Sequence, residues 1–281
     1  MSKHTRLKVS PLWGVLLVLF SLNTLRAQKG LPAVQTDPLT IGETLTFASE
    51  TLGEERRLNV YLPATYRDSV DAKYPVIYLL DGSYTEDLLH IVGLVQFGSY
   101  PWIDWVPESI VVGIENVDRK RDFTYPTTWE ELQKEVPTAG GSAAFMQFIE
   151  EEVQPMIDQQ YRTTSTRTLI GQSLGGLLAS EVLLKKPQLF SHYVIVSPSL
   201  WWDQETLLSY EPDFSAWDGQ VFISVGTEGA QMERTAQDLH RLLEKNNLTD
   251  EQLFFQFIPE LNHATALHLS FYRAMEVMSW K

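Results

Sequence analysis

Short apolar runs alternate along this chain with stretches whose apolar residues recur at helical spacing. Thr44 to Ala48 and Arg57 to Leu62 alternate apolar and polar side chains with period two, as half-buried strands do, and Pro63-Ala64-Thr65-Tyr66 stops the second. Pro75 to Leu80 is continuously apolar, the mark of a strand buried on both faces, and Asp81-Gly82-Ser83 ends it. A helix pattern from Glu86 to Gln96 follows, and Ser109 to Ile114 reads as a second buried strand. A polar, aromatic-bearing loop of roughly 25 residues comes next, a length usually kept for function or motion. Ser142 to Tyr161 places Phe145, Ile149, Val153 and Met156 on one helical face, with Pro155 as an expected kink. Strands are predicted at 167–170, 193–196, 220–225 and 254–258, and helices from the residues after Ser173 to Lys186, over 233–246 and from Ala266 on. Strands alternating with helices predict a three-layer α/β sandwich on a mostly parallel sheet.

The segment Gly171-Gln172-Ser173-Leu174-Gly175 lies between a predicted strand and a predicted helix. That context gives the G-x-S-x-G pattern chemical meaning. A turn this tight leaves its central hydroxyl exposed at the carboxyl edge of the sheet, and the helix aims its first amides at the same point. Ser173 is the candidate nucleophile, and the fold expected is an α/β-hydrolase. Only about 20 residues separate the strand at 193–196 from the next, too few for a large cap domain.

A serine hydroxyl needs a base. Of the histidines after Ser173, His192 falls at the amino edge of the sheet, His240 inside a helix pattern and His268 within the final helix. His263 follows the last strand at the carboxyl edge and is the candidate base. Glu228, after the strand at 220–225, is the candidate acid, with Glu233, Asp203 or a Ser–His pair lacking an acid as alternatives. The amides of Leu174 and Ser83 are expected to form the oxyanion hole, with Gly82 second for the latter, while Asp81 braces its loop. No metal is expected: His263 and His268 lie five residues apart, about 500° around a helix, so they share no face. No organic cofactor is needed either.

These residues resemble the esterase D-like family of α/β-hydrolases, which includes periplasmic siderophore esterases. The similarity runs from about residue 41 onward. It rests on Tyr74 to Gly82, on Asn116 with Arg119, Arg121 and Asp122, and on Gly140-Gly141 before Phe145. It continues through Gly171 to Gly176, Ser197-Pro198-Ser199-Leu200-Trp201-Trp202 and Asn262-His263. The resemblance implies catalysis by Ser173 and His263, and a pocket bordered by the loop carrying Arg119 and Arg121. Those arginines would grip an anionic substrate, or else pair with Asp118 or Asp122. Tyr84, Trp102, Trp105, Trp201 and Trp202 stand near the predicted mouth, either to stack on a bulky ester or to fill seams between loops and sheet. The rivals to an esterase are an acyltransferase on the same three residues, a peptidase, and a non-catalytic binding protein on a hydrolase scaffold.

Residues 1–27 read as a signal peptide: Lys3, Arg6 and Lys8, an apolar stretch from Leu12 to Leu22, and Leu25-Arg26-Ala27 before the cut. An uncleaved anchor is the alternative. Residues 28–281 then form a single catalytic domain, placed in a periplasm or outside the cell, with no stable membrane association. Net charge is −14, and losing Lys3, Arg6, Lys8 and Arg26 takes it to −18, which disfavours nucleic acid and anionic membranes as partners. A small-molecule ester is the partner expected. The chain has no cysteine, so neither disulfides nor thiolate metal sites can form.

Overall fold

The computed structural model describes residues 35–280. The expected signal peptide lies outside the described residues. Contacts divide the chain between Leu39 and Thr40, and the fold described is that of the unit from Thr40 on.

Two antiparallel strands open it, β1 (Gly42–Ser49) and β2 (Glu54–Tyr61), with Gly42 facing Tyr61 in register. Then come β3 (Tyr74–Leu79), α1 (Leu88–Gly98), β4 (Ile110–Ile114), α2 (Ser142–Phe148), α3 (Gln154–Gln160) and β5 (Thr163–Gln172). The chain continues through α4 (Leu174–Lys185), β6 (His192–Val196), β7 (Gln220–Gly226), α5 (Ala230–Lys245), β8 (Leu253–Ile258) and α6 (Ala266–Val277). The eight strands form one sheet in the order β1-β2-β4-β3-β5-β6-β7-β8. Pairing is antiparallel from β1 through β2 to β4 and parallel from there to β8. This is the α/β-hydrolase sheet expected, with β5 at its centre.

Period-two geometry sorts the central strands between two cores. Val76, Tyr78 and Leu80 point to the face covered by α2 to α5, where they meet Phe145, Leu177 and Leu239. Ile77 and Leu79 point the other way, to α1 and α6, where Ile91, Val95 and Phe271 cover them. A strand clad on both sides must be apolar at every position, so β3, β4 and β6 carry unbroken apolar runs. The edge helix α5 instead buries only Thr235, Ala236, Leu239 and Leu243, one stripe at three- and four-residue spacing.

Two regions differ from the expectation. The helix at 142–161 is interrupted by a π turn, Ile149–Val153, between α2 and α3. Pro155 lacks an amide hydrogen, and the wider turn ahead of it accommodates the lost bond and the ring. The loop after β4 is not irregular throughout; it holds short helical turns at Arg119–Asp122 and Glu130–Glu135. The first starts on Asp118, whose side chain accepts the Arg121 amide at 3.0 Å.

Candidate active site

β5 ends at Gln172, and Ser173 turns the chain with φ 60° and ψ −120° before α4 begins at Leu174. A non-glycine residue with this backbone is strained and persists only when its surroundings hold it. The holds are visible: the Ser173 amide donates to the Val196 carbonyl at 3.1 Å, and the Ser173 carbonyl accepts from Ser199 at 3.0 Å. Gly171 allows the turn to close, because a Cβ there would collide with the Gly175 carbonyl.

His263 reaches this point from the loop after β8. Its Nε2 lies 3.0 Å from Ser173 Oγ. The loop is tied to two strand ends: Thr227 donates its amide to the Leu261 carbonyl at 2.8 Å, and Gln172 Nε2 donates to the His263 carbonyl. On the far side of the ring, His263 Nδ1 is 2.6 Å from Glu228 Oε2. The other carboxylate oxygen, Oε1, accepts from Ser197 Oγ at 2.5 Å and from the Gly226 amide at 3.0 Å. Burial opposes ionisation of Glu228, but the bonds from His263, Ser197 and Gly226 outweigh it and hold its carboxyl below the usual range. The carboxylate side chain is 1% exposed and the imidazole 48%. The carboxylate is thus sealed, and the imidazole faces solvent beside Ser173.

The alternative acids stand elsewhere. Glu233 Oε1 accepts the amides of Glu228 and Gly229, each at 3.0 Å, and so fixes the loop bearing Glu228 from the first turn of α5. Asp203 is buried and saturated by Thr127 Oγ1 at 2.7 Å, the Thr128 amide at 2.8 Å and Thr206 Oγ1 at 2.9 Å. Neither is brought to His263.

For the oxyanion, Leu174 is the first residue of α4, where an amide has no partner within its helix. Opposite it, the Gly82 amide is committed to the Ile114 carbonyl at 3.0 Å. The Ser83 amide donates to the Glu86 carboxylate at 3.4 Å, a contact long enough to exchange for a ligand. Gly82 and Gly113 lie back to back, and a Cβ on either would strike the other's backbone. Asp81, at φ 55°, accepts from Arg119 Nε at 2.6 Å, Arg119 Nη2 at 2.8 Å and Asn116 Nδ2 at 2.6 Å, the bracing role expected of it.

Arg119 therefore pairs with Asp81, a partner not anticipated, and its Nη2 approaches the Gln172 carbonyl at 3.4 Å, one residue before Ser173. Arg121 is spent on Glu54, at 2.5 and 3.0 Å, and on Asp122 at 2.7 Å, and no contact brings it to Ser173. Trp202 requires a correction. It is 1% exposed and donates its indole N–H to the Tyr125 carbonyl at 2.9 Å, so it is core and offers no face to a ligand. Trp201 is half-buried against it, with ring centroids 6.1 Å apart, while Tyr84 and Trp102 are exposed. Two serines were not singled out from the sequence as site residues. Ser199 is buried with Oγ 3.4 Å from Ser173 Oγ, and Ser197 holds Glu228. Their signal was position, directly after β6 on the edge that carries Ser173.

Residues 49–266 match the model of the esterase family described as "Putative esterase". The chain belongs to this esterase family. Membership in a family of esterases speaks for an ester-hydrolysing enzyme and against the non-catalytic reading. It is 33% identical over 192 residues to the ferri-bacillibactin esterase BesA of Bacillus subtilis, a match covering 64% of this chain and just under two thirds, 66%, of that one. Among solved structures, the BES protein from Bacillus cereus superposes with a TM-score of 0.76 at 27% identity, covering 89% of this chain and all of that one. An IroE-like serine hydrolase from Shewanella oneidensis gives a TM-score of 0.72 at 28% identity over 84% of this chain and 79% of its own.

Proposed function

We propose that this esterase is a secreted serine hydrolase that opens siderophore esters through an acyl-enzyme. The observation that carries the mechanism is the line Glu228–His263–Ser173, joined at 2.6 and 3.0 Å. His263 Nε2 takes the proton of Ser173 Oγ as the oxygen attacks the ester carbonyl. Glu228 holds the ring with its proton on Nδ1 and stabilises the imidazolium that forms. The amides of Leu174 and Ser83 receive the negative oxygen. His263 then returns the proton to the departing alcohol as the ester C–O bond breaks. Water attacks the acyl-enzyme by the same proton relay in reverse, releasing the acid and Ser173.

Support for the substrate comes from the relatives: BesA is a ferri-bacillibactin esterase, and a relative from Aspergillus fumigatus, 28% identical over 166 residues, is a siderophore triacetylfusarinine C esterase. Half-exposure of His263 suits a bulky substrate that docks on an open edge. Secretion rests on the leader read in residues 1–27.

The test is a panel of p-nitrophenyl esters, feruloyl esters and a trilactone catecholate siderophore, offered to the enzyme and to Ser173→Ala. Serine-dependent turnover with kcat/KM highest for the siderophore is expected. Preference for short acyl esters would leave a general esterase, and undiminished turnover by Ser173→Ala would remove the mechanism.

A further inference from the structure

A second set of chemically competent side chains lies outside the Ser173 constellation. Asp87 immediately precedes α1, His90 sits in its first turn, and His268 sits in the first turn of α6. His268 Nε2 is 3.2 Å from Asp87 Oδ1. The His90 and His268 rings are 4.0 Å apart between centroids and tilted by 52°. One ligand atom from each of the three residues lies within 4.8 Å of the others. We propose that Asp87, His90 and His268 bind one divalent transition-metal ion, with zinc as the reference case.

The geometry is close to what a metal requires. Nitrogen and oxygen ligands about 2.1 Å from zinc stand roughly 3–4 Å from one another, so small side-chain rotations close the set. The donors choose the class of ion. Two imidazoles with one carboxylate suit zinc, copper, nickel, cobalt or ferrous iron, whereas calcium and magnesium require mostly oxygen. The electrostatics favour a cation. The acidic side chains of Asp81 and Glu86 stand near the Asp87 carboxylate. A bound divalent ion would satisfy that carboxylate, and a chain of net charge −14 draws cations to it. The Asp87–His268 bond alone uses two of the three residues and leaves the second imidazole without a role.

Three protein donors leave at least one coordination position, and exposed His90 marks the solvent side as the place for a water or other external ligand. The ligands come from α1 and α6, so the ion would pin the two helices that cover one face of the sheet. His263 lies ahead of α6, and His268 meets Asp87 and His90 from the start of α1. The site shares no residue with the Glu228–His263–Ser173 line.

The test uses the full chain without an affinity tag, stripped with chelator and titrated with zinc chloride in a calorimeter. One equivalent should bind, and zinc should raise the melting temperature. His90→Ala and His268→Ala should each weaken binding by at least about tenfold. Ser173→Ala and His240→Ala should bind as the parent does. Cobalt should give a visible absorption band that His90→Ala abolishes. Absence of heat and of any melting shift at millimolar zinc would overturn the proposal, as would saturation unchanged in His90→Ala. Because His90 is exposed, that variant decides the matter even if His268→Ala folds poorly.

Discussion

Two loop regions at the same edge of the sheet both carry charge, and they use it differently. In the loop after β4, the charges close on one another. Arg56 and Asp122, each 1% exposed, pair at 2.7 Å, and Arg121 bridges Asp122 to Glu54. In the loops after β7 and β8, the chain of bonds ends at a hydroxyl: Glu228 is sealed, but His263 Nε2 faces only Ser173 and solvent. A buried charge met by an opposite buried charge holds a fold together. A group with a valence left free at the end of a fixed chain can move a proton.

The largest expected effect breaks the second loop's logic at its terminus. Ser173→Ala should lower kcat by about 10⁴-fold or more with little change in melting temperature. Glu228→Gln follows, with a loss of about 10³- to 10⁴-fold, because an amide can leave the imidazole in the wrong tautomer. Assays of kcat at saturating ester check both. In the first loop the same kind of change should act on stability. Arg56→Met strands the buried Asp122 carboxylate and should cost about 3–5 kcal/mol in urea unfolding, with kcat/KM of the folded fraction unchanged. Arg121→Ala should cost about 1–2 kcal/mol, since Glu54 and Asp122 lose a charged donor, and KM should stay within about twofold. A large rise in KM for that variant would move Arg121 into the pocket and erase the contrast. The smallest effect is in pH. Glu228 has a lowered carboxyl pKa in the folded state. Its contribution to stability is therefore complete above the unfolded value and lost as pH falls through the lower folded one. Glu228→Gln should remove that part of the acid-side slope in melting temperature.

Much of this was legible in the chain, and the exceptions have a common cause. Buried strands announce themselves by unbroken apolar runs, and the Ser173 turn by its glycines, because both are local constraints. His263 and Glu228 could be chosen by the side of the sheet on which their strands end. Long-range partners leave no local trace. Nothing in the segment around Arg119 names Asp81, and nothing near Trp202 says that its indole N–H finds the Tyr125 carbonyl. An exposed aromatic and a core aromatic look alike in a list of residues. Pro155 did mark a helix irregularity, but whether a kink or a π turn resolves it depends on packing against the sheet.

The back-to-back glycines at 82 and 113 have a consequence best read as a map of mutational tolerance. In a library of all single substitutions selected for ester cleavage, both columns should empty together, since either Cβ meets backbone rather than a side chain that can yield. Gly93, in the exposed face of α1 with open space around it, should accept most residues, and alanine there should gain up to about 1 kcal/mol. Two positions far apart in sequence would then behave as one locus, and the residue just ahead of Ser83 would be as intolerant of change as a catalytic one.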